Sequence, residues 1–102
     1  MTKTEMKYIY LDEKGIAWIE GTGIKVIEIV RDYIIDKMSP EDIKEAFPEL
    51  SLAQIFSALA YYYEHKEEFD KQIEEWENYI EILRNQYPKN KIYFKLKEKG
   101  LI

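Results

Sequence analysis

Ser39-Pro40-Glu41-Asp42-Ile43-Lys44-Glu45-Ala46-Phe47-Pro48-Glu49-Leu50-Ser51-Leu52-Ala53-Gln54 contains two helix starts and one forced stop. Ser39 is an N-cap serine, Pro40 fits the first helical position, and Asp42 stands three residues on, close to a capping box. The helix that begins there runs through Ile43 and Phe47. It must end near Pro48, because a proline disfavours the helical conformation of the residue before it. Pro48 to Ser51 then separates it from a second start, where Ser51 and Gln54 form a fuller capping box. Two helices joined by so short a connection read as a helix-turn-helix.

Reading forward, Leu52, Ile55, Phe56, Leu59 and Tyr63 are expected on the inner face of the later helix, leaving Ala53, Gln54, Ser57, Tyr61 and Glu64 outside. Were this a recognition helix, the outer set would read bases. Lys44, Ser51, Gln54, Ser57 and Tyr61 are therefore the candidate DNA-binding residues. From Lys66 to Gln86 a longer helix is expected, with Phe69, Ile73, Trp76, Ile80, Leu83 and then Tyr87 at alternating spacings of four and three. Charged residues fill most other positions, so this seam is narrow and needs a cover. The chain's own core, a second copy or another protein would each serve, and an exposed tryptophan on it would be a hot spot.

Reading backward, Ile24 to Lys37 shows helical spacing in Val26, Ile27, Val30, Tyr33 and Ile34. Gly21-Thr22-Gly23 is a strand-to-helix connector, since it lacks the further glycines and the lysine of a phosphate loop. Tyr8-Ile9-Tyr10-Leu11 and Ile16-Ala17-Trp18-Ile19 flank the turn residues Asp12-Glu13-Lys14-Gly15 and predict a β-hairpin. Two strands alone are marginal in water, so the ribbon must pack on helices or pair with a second copy, and a homodimer is expected. The predicted fold is mainly α with a short N-terminal β-hairpin, a helix-turn-helix core and a following long helix. Residues 1–65 would form the hairpin and helix-turn-helix domain, and 66–102 an amphipathic helix with a basic tail for partner binding.

Charge divides the chain at Pro88. Of its 15 basic and 20 acidic residues, residues 88–102 hold five lysines and one glutamate, leaving 10 basic and 19 acidic residues before them. An acidic body argues against strong binding to a polyanion, whose affinity comes from Lys and Arg neutralising phosphates. Within 39–65 the lone formal cation is Lys44, against Glu41, Asp42, Glu45, Glu49 and Glu64. In the tail, lysines alternate with Ile92, Phe94 and Leu96, the pattern of an edge strand or of a segment that orders on a partner.

Chemistry finds little purchase. There is no cysteine, which excludes disulfides, thiolate metal sites and cysteine nucleophiles. His65 has no second histidine to share a metal and no triad order around it, and reads as a helix-end surface residue. The carboxylates lie at helix-surface spacing rather than in an apolar pocket that would raise a pKa for acid catalysis. No catalytic residue, metal or cofactor is expected. No apolar run is long enough to cross a bilayer and no signal-peptide core follows Met1, so a cytoplasmic protein is expected.

Four ordered stretches bear a resemblance. Ile19-Glu20-Gly21-Thr22-Gly23-Ile24-Lys25-Val26, Met38-Ser39-Pro40-Glu41-Asp42-Ile43, Phe47-Pro48-Glu49-Leu50-Ser51 and Ala58-Leu59-Ala60-Tyr61-Tyr62 resemble the bacterial and archaeal domain of unknown function family 433. That family is similar to the DNA-binding domain of VapB-type antitoxins. The resemblance covers roughly residues 8–66 and implies a winged or homeodomain-like helix-turn-helix, encoded beside a PIN-like ribonuclease that the antitoxin would neutralise. The family pattern more often reads Gly-Thr-Arg-Ile-Pro-Val, where this chain has Gly23 and Lys25, so one cation is missing near the implied nucleic-acid surface.

The expectation is therefore an antitoxin that binds and neutralises a PIN-like nuclease and acts on its own operon. It would dimerise through the Tyr8 to Ile19 strands. Its partner-binding candidates are Phe69, Ile73, Trp76, Ile80 and Leu83 on the long helix, with Phe94, Lys95, Leu96 and Lys97 in the tail. Lys95, Lys97 or Lys99 would lie against the nuclease's acidic centre while Phe94 and Leu96 anchor the tail. The alternative is a stand-alone regulator reading operator DNA through Gln54 and Ser57.

Overall fold

Asp12 organises the N-terminal turn. In the computed structural model, which describes residues 1–86 and 97–100, its carboxylate accepts the backbone N–H groups of Lys14 at 2.8 Å and Ile16 at 3.0 Å, and the Trp18 indole N–H at 2.9 Å. Gly15, at φ +81°, supplies the left-handed residue that closes the loop. The turn joins β2 (Ile9–Leu11) to β3 (Ala17–Ile19), paired antiparallel with Ile9 opposite Ile19 and Tyr10 opposite Trp18. Ile9, Ala17 and Ile19 point inward and are buried, while Tyr10 and Trp18 are half-exposed, as period-two alternation requires.

The expected hairpin is there, with a third strand that sequence reading missed. β1 (Thr2–Lys3) pairs antiparallel with β2 through Thr2 opposite Leu11 and Lys3 opposite Tyr10. Its turn is closed by Thr4, whose hydroxyl donates to Ile9 O at 2.7 Å, and by Tyr8 at φ 73°. β2 thus has both edges filled. On the outer edge of β3, Ile19 N–H donates to Ile24 O at 3.0 Å and Trp18 bridges to Lys25. The strands between Tyr8 and Ile19, expected to pair with a second copy, spend their edge groups within the chain.

Thr22 makes the next corner by donating to Ile19 O at 2.8 Å and accepting Ile24 N–H at 3.1 Å. Because the Ile24 carbonyl is bonded to the sheet and Lys25 is extended, α1 (Val26–Ile34) starts later than the Ile24 expected from spacing. Glu28 accepts Lys25 N–H at 2.7 Å, which satisfies one donor at the helix entry. At its far end Lys37 takes φ 57°, the left-handed conformation that commonly terminates helices, so α1 also stops short of the expected Lys37.

Both capping boxes form as read. Asp42 N–H donates to Ser39 Oγ at 3.1 Å and Ser39 N–H to Asp42 Oδ2 at 3.2 Å, starting α2 (Pro40–Ala46). Gln54 N–H donates to Ser51 Oγ at 3.1 Å and Ser51 N–H to Gln54 Oε1 at 2.8 Å, starting α3 (Leu52–Glu64). α1 packs on α3 and β3, α2 packs on α3 and α1, and α3 meets β2. Ile9, Val26, Ile29, Val30, Ile43, Ile55 and Tyr62 fill the core, each at most 1% exposed. Burying one such side chain stabilises the fold by about 1.5–3 kcal/mol.

His65 ends α3 and adjoins α4 (Lys66–Gln86) with no loop between. By its contacts the chain divides into two compact units, 1–69 and 70–102. In the first, Phe69 sets its ring edge-on to Tyr61 and Tyr62, with centroids 6.0 Å away in each case. In the second, Ile80 and Leu83 are buried, and Trp76 and Tyr79 pack against them. Among the described residues no helix is long and apolar enough to cross a membrane.

Candidate functional site

The pair α2 and α3, with the turn between them, is where sequence reading placed the first candidate site. α2 stops at Phe47, whose N–H still reaches Ile43 O at 2.9 Å, and Leu50 N–H closes the turn on Phe47 O at 3.0 Å. Leu50 is 1% exposed and pins the turn to the core. The geometry of the pair is thus fixed by two serine caps, one proline and one buried leucine.

The DNA-binding candidates are less available than their spacing suggests. Lys44 is half-buried, and its ammonium donates to Pro48 O at 3.0 Å, where it closes the helix end. Gln54 gives its amide oxygen to the Ser51 N–H, whereas bidentate recognition of adenine needs both amide atoms. Ser51 is exposed and Ser57 half-exposed. Tyr61 is 6% exposed, stacked on His65 with centroids 4.2 Å apart. Burial, then the charges of Glu5 and Glu68, push its phenol pKa up.

The face assignment of α3 is corrected accordingly. Ile55, Ala58, Leu59, Tyr61 and Tyr62 are the buried set, and Leu52, Phe56 and Tyr63, expected inside, are exposed. The reason is geometric: α1, α2 and β2 approach α3 from one side, and Tyr62 fills the place expected for Tyr63. Tyr63 instead leans out and meets Tyr33, their hydroxyls 3.1 Å apart and their rings near perpendicular at 82°. That hydrogen bond raises the Tyr63 pKa. One signal of this surface was present in the sequence, since no residue from Leu52 to Tyr63 is charged in a chain that is 34% charged.

The second candidate group, on α4, is covered by the chain itself. Phe69, Ile73, Ile80 and Leu83 are all buried and Trp76 is half-buried, so the seam is chiefly core. Ile82, off the seam, is 50% exposed. In the tail, Phe94, Lys95 and Leu96 lie outside the described residues. Lys97 is exposed, and its carbonyl accepts Gly100 N–H at 3.1 Å.

His65 does more than sit at a helix end. Its Nε2 lies 2.7 Å from Glu5 Oε1, joining the N-terminal segment to the end of α3. This hydrogen bond is the main reason the Glu5 carboxyl titrates lower than usual. Among the described residues no three His, Cys, Asp or Glu side chains gather as metal ligands would.

The family comparison falls on this same region. Residues 14–62 match the model of a family described as Protein of unknown function (DUF433). The match runs from the hairpin turn to Tyr62 and takes in α1, α2 and nearly all of α3, the elements that carry the quoted motifs. No curated protein and no solved structure matches the chain.

Proposed function

We propose that the chain is an antitoxin, which binds and neutralises a PIN-like ribonuclease and works through protein contacts more than through nucleic acid. The observation that carries this reading is the engagement of Lys44. It is the sole cation of residues 39–65, and its ammonium already serves the carbonyl of Pro48. A helix-turn-helix that holds DNA needs cations or free donors at the phosphates beside the recognition helix. This one has an acidic surround of Glu41, Glu45, Glu49 and Glu64 and an exposed apolar face on α3. The match over residues 14–62 agrees with the resemblance to this family of unknown function, and the antitoxin assignment rests on what that resemblance implies.

In this mechanism inhibition is steric. The lysines after Pro88 are attracted to the acidic, metal-holding centre of the nuclease, with Lys97 among them and Phe94 and Leu96 as anchors. The test is co-expression with a PIN-like nuclease from the same source as the chain, followed by purification. Growth rescue and a stoichiometric complex are expected, and removal of residues 88–102 should abolish both. A tail-less chain that still inhibits the nuclease overturns the tail's role, and no inhibition by the full chain overturns the antitoxin reading.

One observation favours a second reading, a regulator that binds its own operator. The first turn of α3 carries no acidic residue to repel a phosphate from that capped helix N-terminus, and Ser51 is exposed beside it. Binding to the promoter fragment across a salt series decides. A sequence-selective complex that weakens as salt rises supports the regulator, and salt-dependent binding without selectivity does not.

A further inference from the structure

α3 differs from the other helices in how its charges are placed. α1, α2 and α4 each carry an acidic residue in the first turn and a basic residue in the last, matching the helix dipole, whereas α3 carries neither. It is also uncharged from Leu52 to Tyr63, and on the side away from the core Leu52, Phe56 and Tyr63 are 39%, 51% and 54% exposed.

We propose that this face is a twofold interface between two copies of the chain, with α3 of one copy lying antiparallel on α3 of the other. The argument for a second copy is self-complementarity. A twofold axis crossing the outer face of α3 level with its midpoint, where Ala58 itself faces the core, sets Phe56 of each copy opposite Ala60 of the other, and Tyr63 opposite Ala53. Phe56 and Tyr63 then each meet a small residue, as interdigitating helices require, while Leu52 lies level with Glu64 at the rim. The same register brings Glu64, exposed at the end of one α3, to the N-terminus of the other. There its carboxylate meets the positive end of a dipole whose own first turn has no acid.

Charge also limits where two copies can meet. The chain has a net charge of -5, and the outer sides of α2 and α4 display Glu41, Glu45, Glu67 and Glu74, so self-contact there sets like charges together. The neutral stretch of α3 avoids that repulsion. Tyr63 is held in place by the Tyr33 hydroxyl, so little of its freedom remains to be lost on association. A single helix pair of this kind is about 20 Å long. It falls at the small end of specific interfaces, and its dissociation constant is expected at roughly 1–100 µM.

This inference deepens the homodimer expectation, moves its surface from the sheet to α3 and needs neither nuclease nor DNA. Sedimentation velocity of the full chain from about 1 µM to about 1 mM is the test. A concentration-dependent shift from monomer to dimer is expected. Phe56→Asp and Ala60→Glu should each weaken it at least about 100-fold, the loss typical of a disrupted interface centre. Ile82→Asp on α4 and removal of residues 1–3 from the sheet edge should leave it unchanged. Circular dichroism checks that the variants are folded. If they are not, side-chain footprinting of the unaltered chain decides, because Phe56 and Tyr63 must become protected as concentration rises. A monomer at every concentration overturns both the homodimer and the interface. A dimer that ignores both α3 variants, or dissociates when residues 1–3 are removed, overturns the interface alone.

Discussion

α3 and α4 lie next to one another in the chain and use apolar residues in opposite ways. In α4 the apolar side chains other than Ile82 form a narrow line among glutamates and lysines, and Phe69, Ile73, Ile80 and Leu83 are all buried. In α3 apolar and aromatic residues occur all round the helix, more than the neighbouring elements can cover, and Leu52, Phe56 and Tyr63 remain outside. Spacing decides burial when only one face is apolar. When every face is apolar, burial is decided by what packs alongside, and the uncovered remainder marks surface with another use.

Adjacent residues of α3 give the sharpest test of that difference. Ile55 is fully buried and Phe56 half-exposed. Ile55→Ala should cost about 2–5 kcal/mol, as core truncations do, measured by urea unfolding at a concentration where the chain is monomeric. Phe56→Ala should change stability by less than about 0.5 kcal/mol under the same conditions. Equal losses at the two positions would mean that α3 is rotated from the orientation described. In α4 the same logic sets Leu83, 2% exposed, against Ile82, 50% exposed. Leu83→Ala should lose about 2 kcal/mol or more and Ile82→Ala little, read from the melting of α4 by circular dichroism.

A smaller effect separates the two helices at their starts. Ser51 caps α3 with a side-chain hydrogen bond, whereas α4 begins directly after His65. Ser51→Ala should cost about 1 kcal/mol, the usual worth of an N-cap. The same substitution removes the hydroxyl that accepts the Gln54 N–H, so hydrogen exchange should quicken at the Gln54 amide before it does elsewhere in α3. Unchanged exchange there would show that the cap contributes nothing to helix stability.

The starts of α2 and α3 were legible because a serine, a proline and a residue three places on determine them locally. The stop at Phe47 was legible for the same reason. β1 was not, because Thr2 and Lys3 have no apolar pattern and their pairing depends on a turn that forces Tyr8 into a positive φ. The ends of α1 were overread because Ile24, though apolar and at helical spacing, is bonded into the sheet. At the candidate site, residue types were readable but their engagements were not. Nothing in the spacing of Lys44 shows that it closes on Pro48, and nothing in that of Tyr61 shows that it lies between His65 and Phe69. The neutral run from Leu52 to Tyr63 was visible throughout, and only its burial pattern gave it meaning.

The smallest expected effect comes from α1, the helix that packs α3 from the inner side. Asp32 titrates above the ordinary carboxylate value, first because it is partly buried and then because of the hydrogen bond and like charge of Asp36 one turn on. A raised carboxylate pKa means that the folded chain holds this proton more tightly than the unfolded chain does. Between the unfolded and folded pKa values the folded state binds more protons, so stability falls as pH rises through that window and is level above it. Asp32→Asn removes the charge and with it this loss. The variant should therefore be more stable than the unaltered chain at neutral pH. The gain should be about 0.2–0.5 kcal/mol, the scale of like charges four residues apart on a solvated helix. It should vanish in acid, once Asp32 is protonated in both states. Urea midpoints measured across the acidic range give the comparison. An advantage that persists unchanged in acid would assign it to packing of the amide instead of relief of charge, and would leave the Asp32 and Asp36 pair with no part in the pH response of α1.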